Sequence, residues 1–431
     1  MLVSIAEPVL KTASSPSVPK EGLAVFLDSL KNYAVLRNHR DIWSGFSHKG
    51  DIDLLVSDLD EASCQLQKAV GTPLWCTQRS YVRSFFYQWG HIDLLPGLQW
   101  HGAPFIETER VLRDAIRPAN GVPYPRAAHE ALVSWLTSLL FGGFFKERYQ
   151  ETILQAAVTD GEEFERALVW ALGPKWGERL WQLLQSGNPE KSEQHAPALR
   201  RALWWRSFRR EPAGTLRRWA SYWRTEVSLR WHPPAPMVAV IGPDGSGKSS
   251  VLRESTAILD QTLHQIEFHH WYPRFFRFAQ IQNGPVLEPH GRKPRSRVVS
   301  IAKLLFMAFD WNLCYWVRLV HHRAKNTLLI FDRYYLDLAI DPMRYRFQGP
   351  GWLVRQVGKL VPQPDLYILL DAPAEVLQSR KREVSLAESI RQRQAYFDVV
   401  SKMKNGIVLD ASRPLDEVVA QVNSAILQPW Q

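Results

Sequence analysis

The sequence predicts an α/β protein. A C-terminal parallel sheet flanked by helices is expected over 237–431, preceded by a small α/β domain over 21–105 and a helical middle segment over 106–231. Three observations carry that prediction. The apolar run Met237-Val238-Ala239-Val240-Ile241 leads straight into Gly242-Pro243-Asp244-Gly245-Ser246-Gly247-Lys248-Ser249, a buried strand followed by a glycine-rich turn and a helix-compatible stretch. Strand candidates at 238–241, 328–331, 366–370 and 407–409 alternate with helical patterns, which requires crossover connections and therefore a parallel sheet. His232-Pro233-Pro234-Ala235-Pro236 can neither continue a helix nor donate to a sheet, so 232–236 reads as a stiff linker.

At 431 residues the chain exceeds what one hydrophobic core usually supports, so two or three domains are expected. Hydrophobic residues at 45% and charged residues at 22% are ordinary for a globular protein and exclude a disordered chain. Cys64, Cys76 and Cys314 are odd in number and far apart, which suits neither a disulfide framework nor a thiolate metal site and points to a reducing cytoplasm. Residues 1–20 have no basic start ahead of an apolar stretch, so a flexible leader is expected rather than an export signal.

From 21 onward, a helix near Leu23–Lys31 and short apolar runs at 33–36, 52–56 and 92–95 describe the small α/β domain. In KGDIDLLV, Asp51 and Asp53 lie one residue apart on a strand, so both carboxylates face one side. On a core strand such a pair is costly unless something cationic lies between them. GHIDLLPG brings a third carboxylate, Asp93, on a second strand. Gly-Asp-x-Asp followed by apolar-Asp-apolar resembles the polymerase-β-like nucleotidyltransferase superfamily over about 22–96. The resemblance implies that Asp51, Asp53 and Asp93 hold two divalent metals for an in-line nucleotidyl transfer. That superfamily carries a Gly-Ser or Gly-Gly turn ahead of the acidic pair; the nearest equivalents here are Arg37-Asn38 and Ser44-Gly45.

Leucines at helical spacing, 132, 136, 139 and 140 and then 168, 172, 180, 183 and 184, mark the middle segment. The apolar run Ala131–Phe145 is shorter than the roughly 20 residues a bilayer demands and reads as a buried helix. The net charge of +10 is concentrated between Leu199 and Trp231, where nine Arg face two Glu and five Trp are interleaved: Trp204, Trp205, Trp219, Trp223 and Trp231. An interdomain helical hairpin with inward tryptophans and solvated arginines fits that composition. So does a surface for an anionic membrane or for nucleic acid.

In the rear domain, Gly242-x-x-x-x-Gly247-Lys248-Ser249 satisfies the phosphate-loop pattern in the right strand–turn–helix context. Glycines let successive backbone N–H groups face one point, and the helix start adds its dipole. Gly242, Asp244, Gly245, Ser246, Gly247, Lys248, Ser249 and Ser250 are the expected ATP-binding residues. The string GPDGSGKS, the strand-end Asp332-Arg333-Tyr334, PDLYILLDAPAEVLQSRKRE and IVLDAS, in that order over about 237–426, resemble the thymidylate kinase family.

That resemblance implies a P-loop kinase that uses ATP and Mg²⁺ to phosphorylate a small-molecule acceptor. Lys248 and Arg333 would act on the phosphates, Asp332 and Ser249 would hold the metal or its water, and Arg380, Lys381 and Arg382 would be lid cations. Arg344 and Arg346, with His290, Arg292 and Lys293, are weaker candidates for acceptor contacts. Where the family carries Phe-x-Arg-Glu-Pro-Gly, this chain reads FHHWYPRFFRF, Phe268 to Phe278, so Trp271, Tyr272 and Arg274 either meet a different acceptor or belong to the core. A nucleotide or sugar-type acceptor fits, with the front domain a second catalytic centre or an acceptor-binding module. The competing readings are a nucleotidyltransferase that modifies protein, RNA or a sugar phosphate, and an ATP-gated protein that binds nucleic acid or membrane. A homodimer is the oligomer to test.

Overall fold

The structure is a computed structural model and describes residues 19–37, 39, 42, 51–119, 121–263, 265–276, 294–382 and 384–430. Two compact units divide the chain, the first ending at Thr225 and the second beginning at Glu226.

The first unit is built on a mixed sheet of five strands: β1 (Tyr33–Val35), β2 (Asp51–Val56), β3 (Trp75–Gln78), β4 (Arg83–Tyr87) and β5 (Gly90–Leu95). Their order is β1-β2-β5-β4-β3, with only β2 and β5 parallel. A small hairpin follows, β6 (Gln99–Trp100) with β7 (Ala103–Pro104). Neighbouring residues along a strand point to opposite faces, and here both faces are buried. Val35 and Leu54 join Leu23, Phe26 and Leu66 of the helices Lys20–Ser29 and Leu59–Val70. Ala34 and Leu55 belong instead to the core of Leu132, Trp135, Leu168 and Leu203, which come from the helices Ala127–Thr137, Gly161–Leu172 and Ala196–Arg210. The expected small domain and helical segment therefore share one core and form a single unit.

An ion network ties that helical layer together. Buried Glu163 accepts from Arg110 at 2.9 and 2.6 Å, from Arg166 at 2.9 and 2.6 Å, and faces His129 Nε2 at 2.9 Å. The apolar run at 131–145 is helical to Thr137 and closes in a π-turn at Ser138–Gly142. In the basic stretch, only Trp204 packs against the core, whereas Trp205, Trp219, Trp223 and Trp231 are exposed, contrary to the inward packing expected of a hairpin. Several of its arginines are also not simply solvated. Arg200 donates to the Leu140 carbonyl at 2.8 Å, Arg206 to the Trp170 carbonyl at 2.8 Å and Arg218 to the Gly102 carbonyl at 3.0 Å.

The unit boundary falls inside the helix Pro212–Trp231 rather than at 232–236. The last turns of that helix belong to the second unit: Leu229 is buried and the Trp231 ring lies 5.4 Å from Trp316.

The second unit holds β8 (Met237–Ile241), β9 (Ile266–His270), β10 (Leu328–Asp332), β11 (Leu366–Asp371) and β12 (Gly406–Asp410), all parallel, in the order β12-β11-β8-β10-β9. Both faces of β8, β10 and β11 are buried, as a parallel sheet flanked by helices requires. The continuous helix Arg297–Ala324 is long and apolar enough to cross a membrane by length and composition. Its Leu304, Met307, Trp311 and Cys314 complete the core with Met237, Ala239, Phe331 and Tyr334, while Leu305, Phe306, Phe309 and Trp316 are exposed.

Candidate functional site

The loop after β8 is shaped by glycines at positions where a side chain does not fit. Gly245 has φ +85°, and a Cβ there would meet the Leu377 carbonyl oxygen at 2.5 Å; Gly247, φ +83°, caps the helix Lys248–Thr262 in the left-handed region. The helix N-terminus therefore follows directly on a glycine turn, the setting in which an anion nest forms. Lys248 closes the nest. Its buried ammonium donates to the carbonyls of Gly242 at 2.7 Å and Pro243 at 2.8 Å, and to Ser246 Oγ at 3.2 Å. Burial, together with the charge on Arg333, pushes its pKa down to about 8.

β10 lies beside β8 and delivers the next two residues. Asp332 receives a hydrogen bond on Oδ2 from His270 Nδ1 at 3.0 Å, from the neighbouring end of β9, while its buried Oδ1 has no partner among the described residues. Burial draws the Asp332 carboxyl upward. The hydrogen bond from His270 and the charges on Lys248 and Arg333 outweigh it and hold the group below its ordinary value. Arg333 sits in the left-handed region at φ +73°, a strained backbone for a non-glycine residue. It is gripped from two sides: its guanidinium donates to Asp244 of the loop and to Asp337 Oδ1 at 3.2 Å. Asp337 is itself fixed by the Tyr334 N–H at 2.9 Å and by the Tyr396 hydroxyl. Arg344 also donates to Asp244. Asp244, expected to be a nucleotide contact, is thus the anchor of two arginines.

These groups open on a cavity of about 830 Å³ lined by the loop 244–251 and by His270, Asp332, Arg333, Arg344, Tyr345, Arg380, Lys381, Ala411, Arg413 and Leu415. Arg380 donates to the Ala411 carbonyl at 2.8 Å and so bridges the expected lid to the loop after β12. Arg382 is exposed and does not line the cavity, unlike its neighbours. His290, Arg292 and Lys293 lie outside the described residues. Trp271 and Tyr272 are half-buried against the core, with the Tyr272 ring 5.5 Å from Trp311 and the Trp271 ring stacked on Tyr345 at 4.5 Å. His270, Asp337, Tyr345, Tyr396 and Arg413 were not singled out by the sequence. The β9 pairing that puts His270 opposite Asp332 had no motif to announce it.

In the first unit, Asp53 and Asp93 are opposite one another in the parallel β2–β5 pair, and Asp51 pairs in register with His91. The cation expected between such carboxylates is a side chain: Arg37 Nε donates to Asp53 Oδ2 at 2.6 Å. Among the described residues no group of three His, Cys, Asp or Glu is arranged to hold a metal ion, although Asp51, Asp53 and Asp93 are near enough for Asp51 to raise the pKa of both Asp53 and Asp93. Burial pushes both Asp53 and Asp93 up, against the pull of Arg37 on Asp53 and of a Ser84 hydrogen bond on Asp93. Ser44-Gly45 and Asn38 lie outside the described residues.

The second unit is thus an α/β fold, a parallel sheet flanked by helices, with a glycine-rich loop and a buried lysine after its central strand β8. Comparison with known proteins carries this further: the chain is homologous to thymidylate kinases over about 44% of its length. It is 26% identical over 202 residues to a probable thymidylate kinase of Pyrobaculum aerophilum, an alignment that covers 95% of that protein. A probable thymidylate kinase of Caldivirga maquilingensis is 22% identical over 199 residues, with 92% of it covered. One from Archaeoglobus fulgidus is 24% identical over 201 residues, with 94% covered. Among solved structures, thymidylate kinase from Candida albicans aligns at 17% identity and a TM-score of 0.32 over 44% of this chain and 91% of that one. No protein-family profile matches the chain.

Proposed function

We propose that the protein is an ATP- and Mg²⁺-dependent phosphotransferase of the nucleotide-kinase type, acting on a nucleotide or sugar-type acceptor. The observation that carries this reading is that the loop 244–251 with Lys248, Asp332 and five further cations lines one cavity. Those five are Arg333, Arg344, Arg380, Lys381 and Arg413, a cationic ring of the kind that a transferring phosphoryl group needs. The homology to thymidylate kinases supports the same class.

In this reading the loop amides and the start of the helix Lys248–Thr262 bind the phosphate chain. Lys248 exchanges its loop carbonyls for phosphate oxygens, which restores the charge that burial depresses. The partnerless Oδ1 of Asp332 and the exposed hydroxyl of Ser249 suit a hard divalent cation and would hold Mg²⁺. Bound there, the ion would neutralise charge between the phosphates. Arg333 and Arg344, fixed by Asp244, face the outer phosphate and the acceptor. Arg380 and Lys381 border the cavity from the expected lid segment and would exclude water when it closes. The bond to the leaving ADP oxygen breaks as the bond to the acceptor oxygen forms. The carboxylates of the first unit have no part in this reading.

The test is product analysis. Purified protein with ATP, Mg²⁺ and a panel of nucleoside monophosphates and sugar phosphates should release ADP and yield one phosphorylated acceptor by mass spectrometry, and Lys248→Ala should abolish both. ADP release that survives Lys248→Ala would defeat the proposal.

A further inference from the structure

A second cavity, of about 230 Å³, adjoins the first and shares Arg344 and Tyr345 with it. Its floor is apolar, from Leu304, Met307, Leu338 and Phe347. Its rim is cationic, from Arg295, Lys303 and Arg346, and among the described lining residues none is acidic. Arg295 is held in place by its own hydrogen bond to the Tyr345 carbonyl at 3.1 Å, and its backbone N–H bonds the Arg346 carbonyl at 3.1 Å.

Two further observations mark the cavity as a place for a ligand. Trp271 Nε1 and the Tyr345 hydroxyl, on the stacked pair that forms one wall, are both buried without a hydrogen-bond partner among the described residues, an arrangement that is costly unless something accepts from them. Trp271 and Arg346 are also in the left-handed region, at φ +63° and +56°, a backbone strain of the kind that clusters at ligand sites. Consistent with crowded positive charge, partial burial and the neighbouring Arg295, Arg274 and Arg346 push the Lys303 amine below its ordinary range.

We propose that this cavity holds a second acid group, phosphate or carboxylate, carried by the acceptor at the end away from the atom that is phosphorylated. The inference rests on the kinase reading and narrows it. The acceptor is anionic at both ends, with the far acid met by Arg295, Lys303 and Arg346 and by the Trp271 and Tyr345 donors. A neutral base or sugar at that end would leave Arg295 and Lys303 facing no acidic group among the described lining residues, which disfavours it.

The experiment uses the full chain loaded with ADP and Mg²⁺, labelled with dilute acetic anhydride at neutral pH, and followed lysine by lysine by peptide mass spectrometry. Lys303, exposed at the rim, should label readily. Inorganic phosphate in one arm and malonate in another tell a phosphate site from a carboxylate site. At a concentration about four times the dissociation constant, the preferred anion should slow labelling about fivefold, and glycerol should not. In Arg295→Gln/Arg346→Gln, whose retained ADP binding shows that it is folded, the protection should vanish. A Lys303 that does not react, that neither anion protects, or that is protected equally in the double variant would overturn the proposal. Lys248 in the same digest reports the phosphate loop separately: ADP protecting Lys248 bears on the kinase reading, and phosphate or malonate protecting Lys303 bears on this one, so either can fail alone.

Discussion

The carboxylate of Asp244 receives a hydrogen bond from the guanidinium of Arg333 across 89 residues of chain, so the phosphate loop itself aims the arginine that follows β10. Asp244 also receives Arg344. In Asp244→Asn the charge that anchors both is gone, while the loop backbone and Lys248 are untouched. Misplacement of such clamps by about an ångström costs on the order of a hundredfold in rate. Because Arg333 keeps Asp337, kcat should fall about tenfold to a hundredfold, with the ATP dissociation constant changed by less than about threefold. Steady-state ADP release with an active acceptor and calorimetric ATP titration check this; an unchanged kcat would show that Asp244 serves only the loop.

Two glycines of the loop separate backbone strain from collision. Gly247→Ala enters open space and meets only the cost of a left-handed backbone, about 1–2 kcal/mol. Gly245→Ala meets that cost and in addition drives a Cβ against a carbonyl oxygen 2.5 Å away. Urea unfolding should rank Gly245→Ala as the more destabilised, and ATP binding should be lost in it first. Equal stabilities would contradict the packing described.

Metal binding is expected at the rear site. Mn²⁺ titration in the presence of ADP, read by electron paramagnetic resonance, should lose its tight site in Asp332→Asn and keep it in Asp53→Asn, because Asp53 already has Arg37 as its cation. The reverse pattern would restore the carboxylates of the first unit as a metal centre.

Glu163 gives the first unit an acid-sensitive tie. Burial alone would raise its carboxyl, but hydrogen bonds from Arg166, Arg110 and His129 hold it well below the ordinary carboxylate range. A group with a depressed folded pKa contributes stability above its unfolded value, about 4.3, and that contribution is lost as the pH falls further. Glu163→Gln should therefore lower unfolding free energy by about 2 kcal/mol at neutral pH. It should also flatten the decline in stability below about pH 4, measured by chemical denaturation across pH.

The rear unit was legible in outline because its signals are local. The strand ends at Ile241 and Asp332, the loop glycines and Lys248 each obey short-range rules. What escaped is set by pairing across the chain. β9 carries a run of histidines, FHH, that no strand rule singles out, yet its register with β10 is what puts His270 on Asp332. That Asp244 anchors Arg333 is equally hidden, because the sequence shows the neighbours of Asp244 and not an arginine 89 residues away. In the front unit the spacing of Asp51 and Asp53 does put both on one strand, but the charge that compensates Asp53 comes from Arg37, which precedes β2 and belongs to no motif. The joint at 232–236 ended a helix as proline demands, while packing of Leu229 and Trp231 moved the division between units several residues earlier.

The first sheet's two buried faces make residues 21–105 an incomplete building block. With Val35 and Leu54 turned one way and Ala34 and Leu55 the other, a fragment cut after residue 105 would leave one side of its strands bare to water. Such a piece would meet its like before it met solvent, and self-association through that naked side would be its fate in solution. Deletion mapping of this protein therefore has to treat everything from the first helix to Thr225 as indivisible.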